Sequence, residues 1–260
     1  MIIKKITSRS NPDFKMFVTL LKSQGLKKHG LTLISGMKQA LEVVRSFPEL
    51  CEGVIFGKEA LFFEGFPEDA PGYMLSGELF REVDVHGTGP PILLVRVAPL
   101  PVWRAESRPP GCTLFIPFQD PANVGAVIRC AAAFGVSRAV LLKESAHPFH
   151  HKSIRAAGST FLRVPLFEGP SIEQLVTTGF PIITLSAGGE NIAGYSFPPS
   201  FGLLPGLEGP GLPEEAHRLP SLAIPMEPGV ESLNAAVATG IALFVWRSHR
   251  HLRGLSGFVS

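Results

Sequence analysis

The sequence is short of the residues from which several common kinds of site are built. It has three cysteines, Cys51, Cys112 and Cys130, and no Cys-x-x-Cys pair. Neither a disulfide framework nor a thiolate zinc site is indicated, and a reducing, cytoplasmic setting is expected. Long apolar runs are missing too: the longest, Ala235 to Trp246, is broken by Thr239 and Gly240 and falls short of the roughly 20 residues a membrane span needs. Met1-Ile2-Ile3-Lys4-Lys5 runs into polar residues, so no leader is expected. His147, His150 and His151 have no carboxylate or cysteine pattern beside them, which leaves them a polar loop rather than a metal site.

What is present suits a globular chain. Of 260 residues 45% are apolar and 18% charged, enough for one large domain or two modest ones. The charge is unevenly spread. Residues 1–30 hold seven basic residues against one acid, residues 41–90 three against ten, and residues 100–165 eight against three. Two basic segments around an acidic one suit a polyanion touching two places, although an ordinary solvated surface would look the same.

The pattern of elements predicts a small α/β unit over residues 1–98. It has a helix from Asn11 to about Leu26, strands at Leu31–Ser35, Gly53–Gly57 and Ile92–Val97, and helices near Ala40–Arg45 and Ser76–Arg81. Pro99, Pro101, Pro109 and Pro110 make 99–111 a semi-rigid connector. From 112 to 260 strand and helix alternate, which predicts a mostly parallel sheet whose ligands bind at the carboxyl ends of its strands. Expected strands include Phe161–Leu166, Pro181–Leu185, Phe201–Gly206 and Leu222–Met226. A short helix is expected over Pro213–Leu219 and a last one from Ser232, its expected cap, to about His249. The segment 190–199 reads as an extended loop.

Three loops at strand ends stand out. After the apolar run Thr113-Leu114-Phe115-Ile116, Asp120 is a candidate N-cap, with Pro121 at the first helical position. Val124, Val127, Ile128 and Ala131 then fall on one face, and Gly135 is a candidate C-cap. Taken alone, Asn123 there is a second capping residue and Arg129 a solvent-facing charge. The second loop, Gly206-Leu207-Glu208-Gly209-Pro210-Gly211-Leu212, has neither dinucleotide-loop nor P-loop glycine spacing. The third, Ile224-Pro225-Met226 through Ser232-Leu233-Asn234, leads into the apolar helix and puts polar residues beside its free backbone N–H groups.

Jointly these three stretches resemble the three motifs of the SpoU (TrmH) family of RNA ribose 2′-O-methyltransferases, in the family's order and over about 112–248. His151 to Ser159 is also similar to a family stretch. Ile6-Thr7-Ser8-Arg9-Ser10-Asn11-Pro12 and Leu33-Ile34-Ser35-Gly36 resemble, more loosely, the small N-terminal RNA-binding domain of many members.

The resemblance implies a SPOUT fold with a deep trefoil knot, a smaller N-terminal α/β RNA-binding domain, a homodimer and S-adenosylmethionine as cofactor. It implies cofactor contacts from Leu185, Ser186, Leu204, Gly206, Ile224, Met226, Ser232 and Leu233. It makes Arg129 the central catalytic residue, with Asn123, Glu208, Ser232 and Asn234 orienting it, the ribose or the phosphate. The implied activity is methyl transfer to a ribose 2′-hydroxyl of structured RNA, ribosomal RNA first. A transfer RNA substrate, or a non-catalytic RNA-binding or assembly role on the same fold, are the alternatives.

Overall fold

The computed structural model describes residues 1–57, 65–67, 69–207 and 212–256, the last seven of these as backbone only. Contacts divide it into two units, residues 1–99 with 149–159, and residues 100–148 with 160–260.

The first unit begins with β1 (Ile3–Ile6), then α1 (Pro12–Leu20), capped by the Asn11 side chain, α2 (Ser23–His29), β2 (Leu31–Ser35) and α3 (Met37–Ser46). It continues through β3 (Cys51–Phe56), β4 (Gly72–Leu75), α4 (Gly77–Val83) and β5 (Ile92–Arg96). The strands form a mixed sheet in the order β1-β4-β3-β5-β2, with β2 and β3 antiparallel to β5 and the rest parallel. The helix expected from Asn11 to Leu26 is two helices, because Lys22 adopts an extended backbone between them. β1 and β4 were not foreseen.

The second unit opens with β6 (Gly111–Ile116), α5 (Pro121–Phe134) and β7 (Arg138–Leu141). The next helix, α6 (His151–Ala157), belongs by its contacts to the first unit, although the sequence places it beyond the connector. There Thr32 Oγ1 donates to the Phe149 carbonyl at 3.0 Å in a buried setting, and Ile154 and Ala157 are buried. The chain then runs through β8 (Leu166–Glu168), α7 (Ile172–Val176), β9 (Ile182–Asn191), β10 (Ser200–Leu204), β11 (Ser221–Ala223) and α8 (Ala235–Ser256).

All pairings in the second sheet are parallel, in the order β11-β9-β10-β6-β7-β8. Every residue of β6 and β7 is buried, the mark of strands covered on both faces. Trp103, Phe115 and Phe180 meet edge to face at 5.1–5.7 Å over this sheet. Gly202 of β10 lies under the Phe115 ring, where a Cβ would come within 2.4 Å of Phe115 Cε2.

Four expectations are corrected here. Phe161–Leu166 is not a strand: a 3-10 turn covers Gly158–Leu162 and pairing begins only at Leu166. Pro213–Leu219 is a 3-10 turn over Glu214–Arg218. β11 stops at Ala223, two residues before Pro225, which has no N–H for a ladder. The segment 190–199 is not all loop, since β9 continues to Asn191 and a 3-10 turn follows over Ile192–Gly194.

Candidate active site

The site is built at an irregularity in the middle of β9, the carboxyl ends of β10 and β11, and the start of α8. Register sets its first wall. β11 pairs Ser221 with Thr184 and then Leu222 with Glu190, so Leu185 to Gly189 loop out of β9 between the two pairs. Ser186 Oγ and Ser221 Oγ, 2.9 Å apart, tie that loop back. Gly189 makes the return possible, because a Cβ there would lie 2.6 Å from the Ser221 and Leu222 backbone. Pro205 to Leu207 follow β10, and Ile224 and Met226 follow β11.

These loops and the first turn of α8 enclose a cavity of about 460 Å³, within the range of small-molecule sites. Of the residues expected to hold a cofactor, Leu185, Ser186, Gly206, Ile224, Met226, Ser232 and Leu233 line it. Leu204 does not. It is fully buried, packed with Trp103, Phe115 and Phe180, because the last residue of a strand covered on both faces is claimed by the core. The lining also holds Ala187, Pro205 and Glu231, which lie in the loops expected at about 184–188, 204–209 and 224–234, and Leu222 and Ala238, which lie outside them. Pro205 adjoins the expected Gly206, and Ala238 lies one helical turn beyond Asn234, a spacing that would have found it.

The helix starts bring the motif asparagines together. Asp120 caps α5, its side chain accepting from Ala122 N at 2.9 Å, and Gly135 ends the helix in the left-handed conformation at φ 69°. α8 begins at Ala235, so its cap is Asn234 and not Ser232. Asn234 Oδ1 accepts from Ala236 N at 2.9 Å and Val237 N at 3.2 Å, and its carbonyl accepts from Ala238 N. Capping fixes the amide's orientation, since only the oxygen can face two N–H donors. Asn234 Nδ2 is thereby turned to Asn123 Oδ1, 3.2 Å away. Asn123 in the first turn of α5 and Asn234 at the cavity thus join the N-terminal ends of two packed helices, a place whose dipoles favour negative charge.

The other expected catalytic residues are less closely grouped. Ser232 is exposed and lines the cavity; Arg129 is exposed and lies outside its lining. Six positions separate Arg129 from Asn123, which puts them about 120° apart around α5. Arg129 shares the outer face of the helix with Ala122, Ala126 and Ala133. Beside it, burial pushes the Cys130 thiol above its ordinary pKa, with Arg129 acting weakly the other way. Glu208 lies outside the described residues, as do Gly209, Pro210 and Gly211.

Among the described residues no group of three or more histidines, cysteines or carboxylates is arranged to hold a metal ion. In the first unit His86 Nε2 and His151 Nδ1 are 3.2 Å apart, and the His150 ring lies 4.3 Å from that of His151.

Residues 114–244, about half of the chain and all of the sheet-and-loop region that builds the cavity, match the model of the SpoU rRNA Methylase family. The chain belongs to the SpoU rRNA methylase family. It is 48% identical over 245 residues to "Ribosomal RNA small subunit methyltransferase G 2" of Syntrophobacter fumaroxidans, a match covering 94% of this chain and 49% of that protein. This chain therefore spans about half the length of that curated relative. A second relative, the "23S rRNA (guanosine(2553)-2'-O)-methyltransferase RlmP" of Bacillus subtilis, is 29% identical and covered over 97% of this chain and 100% of its own. Among solved structures, an AdoMet-bound rRNA methyltransferase from Sinorhizobium meliloti superposes with a TM-score of 0.76 over 95% of this chain and 98% of that one. At 20% identity that likeness speaks for the SpoU fold.

Proposed function

We propose that this chain is an S-adenosylmethionine-dependent methyltransferase that acts on a ribose 2′-hydroxyl of structured RNA. The observation that carries the reading is the Asn123–Asn234 pair, which ties the starts of two helices together at a cavity of small-molecule size. The cavity suits the cofactor. Leu185, Leu222, Ile224, Met226 and Leu233 offer apolar walls to an adenosine, and Ser186, Ser232 and backbone groups offer donors and acceptors. When bound, the cofactor supplies a methyl group already activated on a sulfonium.

What remains for the protein is to place the 2′-oxygen in line and to let its proton go. In this reading Asn123, Glu208, Ser232 and Asn234 orient Arg129, the ribose or its phosphate. Arg129 clamps the phosphate and the 2′-hydroxyl. A guanidinium is a planar fork of N–H donors with no acceptor, so Arg129 is assigned a clamp's role rather than a base's, with the RNA phosphate assisting proton loss.

We infer a homodimer as well. On α8 the apolar Val237 and Phe244 are 52% and 57% exposed, and Phe244 touches Phe134 of α5 at 6.1 Å between ring centroids. A second copy covering these side chains would bury them. The support is physical, and sedimentation velocity tests it: the mass of two chains is expected, and a single-chain mass for wild type would end the inference.

Ribosomal RNA is the favoured substrate because the relatives at 48% and 29% identity both carry rRNA methyltransferase names. The basic residues of 1–30, Lys27, Lys28 and His29 at the end of α2 among them, support the first unit as the RNA-binding part. In this reading the C-terminal loops form the family's trefoil knot. A cytoplasmic setting is supported by three free thiols. Among the described residues no helix is long and apolar enough to cross a membrane.

The test uses the full chain, ribosomal RNA and methyl-labelled S-adenosylmethionine, followed by alkaline hydrolysis. Label in alkali-resistant dinucleotides is expected, because a methylated 2′-oxygen cannot attack its own phosphate. Label in mononucleotides would mean a base acceptor, and cofactor-dependent RNA labelling absent under all conditions would favour a binding protein.

A further inference from the structure

We infer that Glu231 makes the cavity favour a cationic methyl donor over its neutral product. The inference rests on the reading above that the cavity takes S-adenosylmethionine. Among the described residues that line the cavity, Glu231 is the one with an ionisable side chain; the rest offer alkyl groups, hydroxyls, an amide and backbone. It precedes Ser232 and stands three residues before Asn234, the cap that reaches Asn123. Glu231 through Asn234 line the cavity without a break, so Glu231 belongs to the α8 end of its wall.

The electrostatics of that end need it. The first turns of α5 and α8 converge there, and their dipoles raise the local potential. That sign suits an RNA phosphate and opposes a sulfonium. A carboxylate on the approach to α8 supplies the compensating charge.

Transfer removes the reason for the attraction. The S–CH₃ bond breaks with its electron pair left on sulfur, the O–CH₃ bond forms at the ribose 2′-oxygen, and the hydroxyl proton passes to phosphate or solvent. S-adenosylmethionine and S-adenosylhomocysteine share adenosine, ammonium and carboxylate groups, and differ by the methyl and one positive charge at sulfur. Alkyl walls and hydroxyls distinguish them weakly; Glu231 distinguishes them by charge, so the product is held less tightly than the donor. Glu231 is exposed, which limits the effect: a unit charge about 5 Å away at the dielectric of water changes affinity about four-fold, and salt screens it.

Calorimetric titration of the full chain with each ligand, at low and high salt, tests the inference. For Glu231→Gln, affinity for S-adenosylmethionine is expected to fall about four-fold at low salt and less at high salt, with S-adenosylhomocysteine unchanged. Glu231→Asp keeps the charge and is expected to keep the discrimination. Equal losses for both ligands would overturn the inference, since the carboxylate would then face the ammonium they share. Unchanged affinity for both would overturn it as well. A wild-type chain that binds neither ligand would overturn the reading of the cavity itself, a failure visible without any variant.

Discussion

Asn234 carries two loads that separate substitutions can tell apart. As the cap of α8 it accepts from Ala236 N and Val237 N, and as a donor it holds Asn123 Oδ1. Asn234→Ala removes both. Losing a good cap costs about 1 kcal/mol, and an exposed neutral hydrogen bond adds about 0.5 kcal/mol. For a chain of this size about 1.5 kcal/mol lowers the melting temperature by about 3–6 °C. Asn234→Asp keeps the acceptor that caps the helix, and its charge suits a helix start, so its melting temperature is expected to match wild type. It loses the donor, however, and turns a carboxylate oxygen toward Asn123 Oδ1. Methyl transfer is therefore expected to fall about ten- to hundred-fold in both variants, the scale of a positioning error near 1 Å. Thermal unfolding followed by circular dichroism and the labelled-methyl assay give the two readouts. An Asn234→Asp chain as active as wild type would refute the positioning role. An Asn234→Ala chain with the wild-type melting temperature would refute the capping role.

Other outcomes follow from the same structure. Arg129→Lys and Arg129→Ala are both expected to lose about a hundred-fold or more in methyl transfer, because an ammonium lacks the planar fork that a bidentate clamp uses; near-wild-type rates in both would remove Arg129 from the mechanism. Gly202→Ala places a methyl 2.4 Å from the buried Phe115 ring and is expected to cost about 1–3 kcal/mol, read as a lower urea midpoint. Stability is expected to fall in acid before the carboxylates titrate. Burial, helped by His150, His86 and Lys152, holds His151 down at about 4 from an ordinary 6.5, and burial lowers His86 and His150 too. The unfolded chain then binds more protons between those values, so stability is present above pH 6.5 and lost as pH falls toward 4. For a half-exposed group the loss from His151 is on the order of 1 kcal/mol. Urea midpoints at pH 7, 6 and 5 check it, and His151→Gln should flatten the slope.

Much of the site could be read in the chain because loops at strand ends are written in residues with a local physical meaning. Asp120, Pro121 and Gly135 bound α5 as their cap chemistry requires, and Gly206, Ile224 and Met226 flank strands whose apolar runs are unmistakable. What could not be read depends on pairing between distant segments. β1 is an edge strand with Ile3, Lys4 and Lys5 exposed, so it lacks the alternation that marks a strand. The excursion Leu185–Gly189 exists because β11 resumes pairing at Glu190, and nothing near residue 185 announces that. Ser232 and Asn234 are both good caps, and only the fold decides between them. Leu204 and Leu185 look alike in sequence and are both buried, and their surroundings separate them: one joins the aromatic core, the other lines the cavity.

The placement of α6 has a consequence for how the chain can be taken apart. The proline-rich connector looks like a natural cleavage point, yet a nick there would leave α6 on the second fragment and its seat against β2 on the first. The buried Thr32–Phe149 hydrogen bond and the buried Ile154 and Ala157 side chains would act as a non-covalent clasp between the pieces. The two fragments should therefore co-purify and complement each other. For the same reason a gene exchange with one crossover in the connector would give each descendant a first unit whose α6 comes from the other parent and must fit a foreign β2.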